Sequence, residues 1–94
     1  MKIPCHVILD NNNYFQWWSY IVDLLRSKGL YRIASSKETK PKDEDKAAKW
    51  ENRQDQARGL IRMSISLDLR FHIVELDTPD KAMEQLTKVF GIKN

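Results

Sequence analysis

Apolar residues return every three or four positions between Tyr14 and Lys28, so that Tyr14, Trp17, Trp18, Ile21, Leu24 and Leu25 share one face at about 100° per residue. This spacing predicts a first helix over residues 11–29. The cluster Asp10-Asn11-Asn12-Asn13 precedes it, any of the three asparagines can serve as its cap, and Gly29 supplies a left-handed stop. Phe15, Val22 and Tyr20 widen the apolar arc at its edges, leaving only Gln16, Ser19, Asp23, Arg26 and Ser27 as a polar stripe. A surface helix of a small domain does not need so broad an arc. Either the helix is central to the core, or one of its edges meets another chain.

Ahead of this helix, residues 1–10 read as an extended arm, because Pro4 lacks an N–H and the β-branched residues that follow disfavour a helix start. Behind it, Leu30-Tyr31-Arg32-Ile33 is a short apolar segment, and residues 34–42 form a polar, Lys-rich connector. A second helix is predicted over 43–66, where Ala47, Trp50, Gln54, Ala57, Ile61 and Ser64 recur at helical spacing and Asp43, Glu44 and Asp45 suit the positive helix start. Gly59 costs about 1 kcal/mol there relative to Ala, which suggests a bend or a close helix contact. Ser66 caps a short third helix over 67–75 with Leu69, Ile73 and Phe71 inward. Thr78, Pro79 and Asp80 open a fourth over 78–91, whose apolar face is Ala82, Met83, Leu86, Val89 and Phe90 and whose end is Gly91. Strand patterning is weak outside the arm. The expected fold is mainly α, a small helical bundle of four to five helices with an extended N-terminal arm, in one domain over 1–94.

Composition narrows the function classes. Ninety-four residues leave no room for a multi-domain enzyme, and three Trp, three Tyr and three Phe beside only three Gly and three Pro exclude a disordered chain. No apolar run approaches the roughly 18 residues that span a bilayer, and the N-terminus lacks a signal-peptide pattern, so no membrane partner and a cytoplasmic location are expected. Cys5 is the single cysteine and cannot build an internal disulfide framework; it reads as a small buried apolar side chain. The net charge of +3 says little, but residues 26–49 hold eight basic against four acidic side chains. Lys37, Lys40, Lys42, Lys46 and Lys49 are therefore candidate weak RNA contacts. Acids interrupt them and no aromatics are interleaved among them, which is rather the pattern of a solvated loop.

Catalytic signals are absent. His6 and His72 lack metal-ligand spacing, and the isolated glycines Gly29, Gly59 and Gly91 build no phosphate-binding loop. The Asp43-Glu44-Asp45 cluster reads as a capping turn, and His72 with Asp68 has no nucleophile beside it. No metal, no cofactor and no enzymatic activity are expected.

Leu9-Asp10, Asn13-Tyr14, Trp17, Leu25 and Ser27-Lys28-Gly29-Leu30, followed by Trp50, Ala57, Ile61, Ser64-Ile65-Ser66, Leu69, Thr78, Ala82, Leu86 and Phe90, occur in an order and spacing that resembles the Gag polyproteins of copia-type retrotransposons and their domesticated descendants. The resemblance runs from about Leu9 to Phe90. It departs from the family at Asn11, where Gly is usual, and at Tyr31 and Met83, where Trp is common. It implies a fold like the N-terminal lobe of a Gag capsid, with Tyr14, Trp17, Ile21, Leu25, Leu30, Trp50, Ala57, Ile61, Leu69, Leu86 and Phe90 at core positions.

The function so implied is self-assembly into a shell that packages RNA, the RNA being engaged indirectly by regions outside this chain. The chain is then either a piece of a longer protein or a lone domesticated lobe. In the second case its partner is a peptide of another protein; a third reading is weak RNA binding through the connector. Phe15, Trp18 and Val22 form the edge of the first helix expected to meet a partner, with burial of Trp18 under the N-terminal arm as the alternative.

Overall fold

Residues 7–91 are described by a computed structural model, in which five helices enclose one apolar core and no strand forms among the described residues. The first, α1 (Tyr14–Ser27), buries Tyr14, Trp17, Ile21, Val22 and Leu25. Its end is a Schellman turn: Gly29 adopts φ +70°, its N–H reaches the Arg26 carbonyl at 3.1 Å, and the Leu30 N–H reaches the Leu25 carbonyl at 2.8 Å. Leu30 and Leu25 are both buried, so the turn also closes the apolar face. Asn13 precedes the helix without capping it through its side chain. That amide instead donates to the Ile8 carbonyl at 2.8 Å and accepts from the Asp10 N–H at 2.8 Å, which ties the incoming chain to the helix start.

The apolar segment after Gly29 is not a plain loop but a single helical turn, α2 (Tyr31–Ala34), which buries Ile33 and Ala34. It ends at Ser36, whose φ of 65° is left-handed. The long helix α3 (Glu44–Met63) begins where the acidic run predicts, with the Asp43 carboxylate accepting from the Lys46 N–H at 3.0 Å. It stops three residues earlier than expected. Ser64, Ile65 and Ser66 leave the helix to meet the N-terminal arm: the Leu9 N–H donates to the Ser64 carbonyl at 2.7 Å and the Ser66 N–H to the Leu9 carbonyl at 3.1 Å, making an isolated parallel bridge. The extended arm is thus seen at residues 7–10. The remainder of it, with Cys5 and His6, lies outside the described residues. Gly59 causes no bend, since α3 is continuous through it, and a Cβ placed there meets nothing within 4 Å.

The third helix is a 3-10 helix over Leu67–His72, with Leu69 and the following Ile73 buried. Phe71 points outward, against expectation. Two residues beyond Leu69 the chain has turned about 240° in this geometry, away from the core. The last helix, α4 (Pro79–Leu86), starts with Pro79 at its first turn and runs on into a π-helical turn, Thr87–Gly91. The wider turn shifts the phase of the face. Phe90 stays buried while Val89, expected beside it, is exposed.

The core draws on every helix. Leu9, Trp17, Ile21, Leu25, Leu30, Ala57, Ile61, Ile65 and Leu86 are almost fully buried, with Tyr14, Leu69 and Phe90 close behind. Trp50 is the exception among the expected core positions. It is partly buried and lies against the connector, its indole N–H facing the Glu38 carbonyl at 3.4 Å. No described helix is long and apolar enough to cross a membrane.

Candidate functional site

The three residues expected at an exposed edge of α1 have separate fates. Val22 is buried in the core, because α1 lies deeper in the bundle than a single-sided helix would. Phe15 is 65% exposed, with its ring edge-on to Tyr14 at 5.3 Å between centroids. Trp18 is partly buried, and its ring borders a cavity of about 240 Å³ between α1, the end of α2 and α4. Most of the arm under which it is alternatively expected to pack lies outside the described residues.

Other large apolar residues are exposed away from the α1 edge. Leu67 is 77%, Phe71 66% and Val74 51% exposed, all on or just after the 3-10 helix. A ring series joins this region to the end of the chain. Phe71 stacks on His72 at 4.0 Å, and His72 meets Phe90 edge-on at 5.4 Å. Phe90 is followed by Gly91, where a Cβ would fall 2.9 Å from Cζ of Tyr14, and Tyr14 is the ring neighbour of Phe15. The Tyr14 hydroxyl and the Thr87 Oγ1, 3.0 Å apart, fasten α1 to the π-helical turn beneath. His72 is therefore an aromatic spacer in a row of rings. The sequence marks Phe71 and Val89 as core; Phe71, two residues from Leu69, faces away in either helical geometry, while the π-helical turn carries Val89 outward.

The Lys-rich connector is pinned to α3. Arg53 grips both carboxylate oxygens of Glu38, at 2.5 and 3.1 Å, and also donates to the Gly29 carbonyl at 2.6 Å. The Arg53 guanidinium, by hydrogen bond and charge, holds the Glu38 carboxyl below its ordinary value against the opposing effect of burial, with a further charge effect from Arg32. Among the candidate RNA contacts, Lys40 is in an ion pair with Glu51 at 2.5 Å. Lys37, Lys42, Lys46 and Lys49 are exposed. Lys46 and Lys49 border one hollow of about 310 Å³ together with Trp50, Pro41 and Arg53, so the fold brings an aromatic to the lysines that the linear sequence keeps apart from them.

At the other side of α2, the Ser36 hydroxyl donates to Asp80 Oδ2 at 2.8 Å and so fixes the start of α4 to the connector. Burial pushes the Asp80 carboxyl up. The nearby Thr78 hydroxyl, the hydrogen bond from Ser36 and the Asp80 and Lys81 backbone N–H groups outweigh it, and the carboxyl lies below its ordinary value. Among the described residues no group of three or more His, Cys, Asp or Glu side chains is placed to hold a metal ion. No family model matches the chain, and no curated protein or solved structure matches it.

Proposed function

We propose that this chain is a protein–protein association domain, of the self-assembling kind that forms the N-terminal lobe of the Gag capsids its sequence resembles. One observation carries the reading: the resembling core positions other than Trp50 are buried, while Phe15, Leu67, Phe71 and Val74 are each more than half exposed. Burying such side chains contributes about 1.5–3 kcal/mol apiece at a contact, which is enough for modest, repeated contacts of the sort that build shells. In that role the chain is structural and not catalytic, and RNA is held by regions outside it.

Sedimentation velocity over a concentration series tests this directly. Assembly that grows with concentration, and that Phe71→Ser weakens, is expected; a strictly monomeric chain into the millimolar range removes the reading. A second reading, RNA binding through the connector, is favoured by the placement of Trp50 with Lys46 and Lys49. It requires an RNA affinity that falls steeply as salt rises. Absence of any RNA shift at low ionic strength eliminates it.

A further inference from the structure

The cavity beside Trp18 has a chemistry that self-assembly leaves unused. Its walls are the Trp18 ring, Met83 and the Thr87 that begins the π-helical turn, and its rim carries Ser36, Asp80 and Glu84. No basic side chain lines it. Among the described residues the ion pairs are Lys40–Glu51 and Arg53–Glu38, so neither Asp80 nor Glu84 is held in an ion pair, although Lys81 and Lys88 stand near them in the same helical run. The Ser36 bond and the helix start keep the Asp80 oxygens anionic and fixed in place.

We propose that this cavity is a binding site for an arginine side chain presented by a segment of a partner protein. An indole ring and two carboxylates lining one cavity suit a guanidinium in particular. The planar cation stacks on the indole while its N–H groups fork to the carboxylates, and its propyl stem lies against Met83. A lysine offers a point charge to the same oxygens but cannot stack and fork together. This site is separate from the exposed apolar row around Phe71, so it stands whether or not the chain assembles with itself.

The test titrates the full chain with a blocked Gly-Gly-Arg-Gly-Gly peptide and follows it by heteronuclear NMR and calorimetry. Binding is expected to move the Trp18 indole N–H and the Met83 methyl signals. The same peptide with citrulline for arginine should leave them in place, and the lysine peptide should bind more weakly. Glu84→Gln should weaken the arginine peptide about fivefold, and raising salt from about 0.05 to 0.5 M should weaken it further. Glu84→Lys, which supplies an ammonium from within, should abolish binding; its amide spectrum reports whether the fold persists. Phe71→Ser should leave the peptide shifts unchanged. Unmoved Trp18 and Met83 signals, equal binding of the citrulline peptide, or indifference to Glu84→Gln in a folded variant would overturn the proposal. So would the same shifts appearing with protein concentration alone, because the occupant would then be a second copy of this chain.

Discussion

Inside the core, the Trp17 indole N–H donates to the Ser64 hydroxyl at 2.9 Å, and that hydroxyl donates onward to the Ile61 carbonyl at 2.7 Å. Trp17 is fully buried and Ser64 nearly so. Ser64 also accepts the Leu9 N–H through its own carbonyl. One small polar residue therefore ends α3, satisfies the largest core side chain and holds the incoming arm. Ser64→Ala leaves the indole N–H buried without an acceptor, at a cost of about 1–3 kcal/mol in urea unfolding. Trp17→Phe removes the need for that acceptor. In a double-mutant cycle the two changes should be less damaging together than their sum, by about 0.5–1.5 kcal/mol. Strict additivity would show that the bond contributes nothing to stability.

Gly59 and Gly91 should respond in opposite directions to the same change. Gly59 lies within α3 with open space where a Cβ would go, so Gly59→Ala gains helix propensity and should stabilise the chain by about 0.5–1 kcal/mol. At Gly91 the added Cβ would stand 2.9 Å from Cζ and 3.1 Å from the hydroxyl oxygen of Tyr14, a buried ring bonded to Thr87. Relief requires the ring or the π-helical turn to shift, and Gly91→Ala should cost about 1–3 kcal/mol. Thermal unfolding of the two variants beside the parent chain measures both, and a shift of the same sign in each would contradict the packing described here.

These two glycines also show where a linear reading reaches its end. Helix α1, the acidic start of α3 and the Pro79 start of α4 were legible, because apolar spacing and first-turn residues are local properties, whereas of the expected caps neither Asn13 nor Thr78 bonds its helix through the side chain. Val22 was not, since whether a flanking apolar residue faces core or solvent depends on how deeply neighbouring helices embrace α1. Phe71 and Val89 were misplaced for other reasons. Phe71 stands two residues from Leu69 and so across the helix in α as in 3-10 geometry, its size and apolarity alone having suggested burial, while at Val89 the π turn changes the angular step without any residue type announcing it. The hollow at Trp18 was visible only as an aromatic in excess. Its carboxylates lie more than sixty residues away and are brought to it by the packing of α4.

The Arg53–Glu38 pair makes a distinct prediction with pH. The carboxyls of Glu38 and Asp80 are lowered in the fold from ordinary values of 4.5 and 3.8, so the unfolded chain binds their protons first as pH falls. The stability they contribute is fully present above the ordinary carboxylate range. It is lost on descending below about pH 4.5 through the depressed folded values. Arg53→Met removes the first cause of the Glu38 shift and also leaves the Gly29 carbonyl without its donor. The pair is partly exposed, so the cost at neutral pH should be about 0.2–1 kcal/mol. The acid limb of a stability profile should become shallower in this variant. An unchanged limb would show that Glu38 does not titrate with folding.

Phe15 and Val22, both expected at one interface, stand nearly two helical turns apart on α1, and their different burial separates folding from association. Val22→Ala opens a gap in the core and should cost about 1–2 kcal/mol, with any loss of association tracking the unfolded fraction. Phe15→Ser, at an exposed ring, should change stability by no more than about 0.5 kcal/mol. If Phe15 shares an interface with the row that runs through Phe90 and His72 to Phe71, then Phe15→Ser and Phe71→Ser should each weaken sedimentation-detected assembly. The pair should then couple non-additively, because both rings would be buried by the same neighbour. Independent effects would place them in different contacts. Weakened assembly in Val22→Ala at full foldedness, with Phe15→Ser silent, would return the interface to the edge of α1 that the fold assigns to the core.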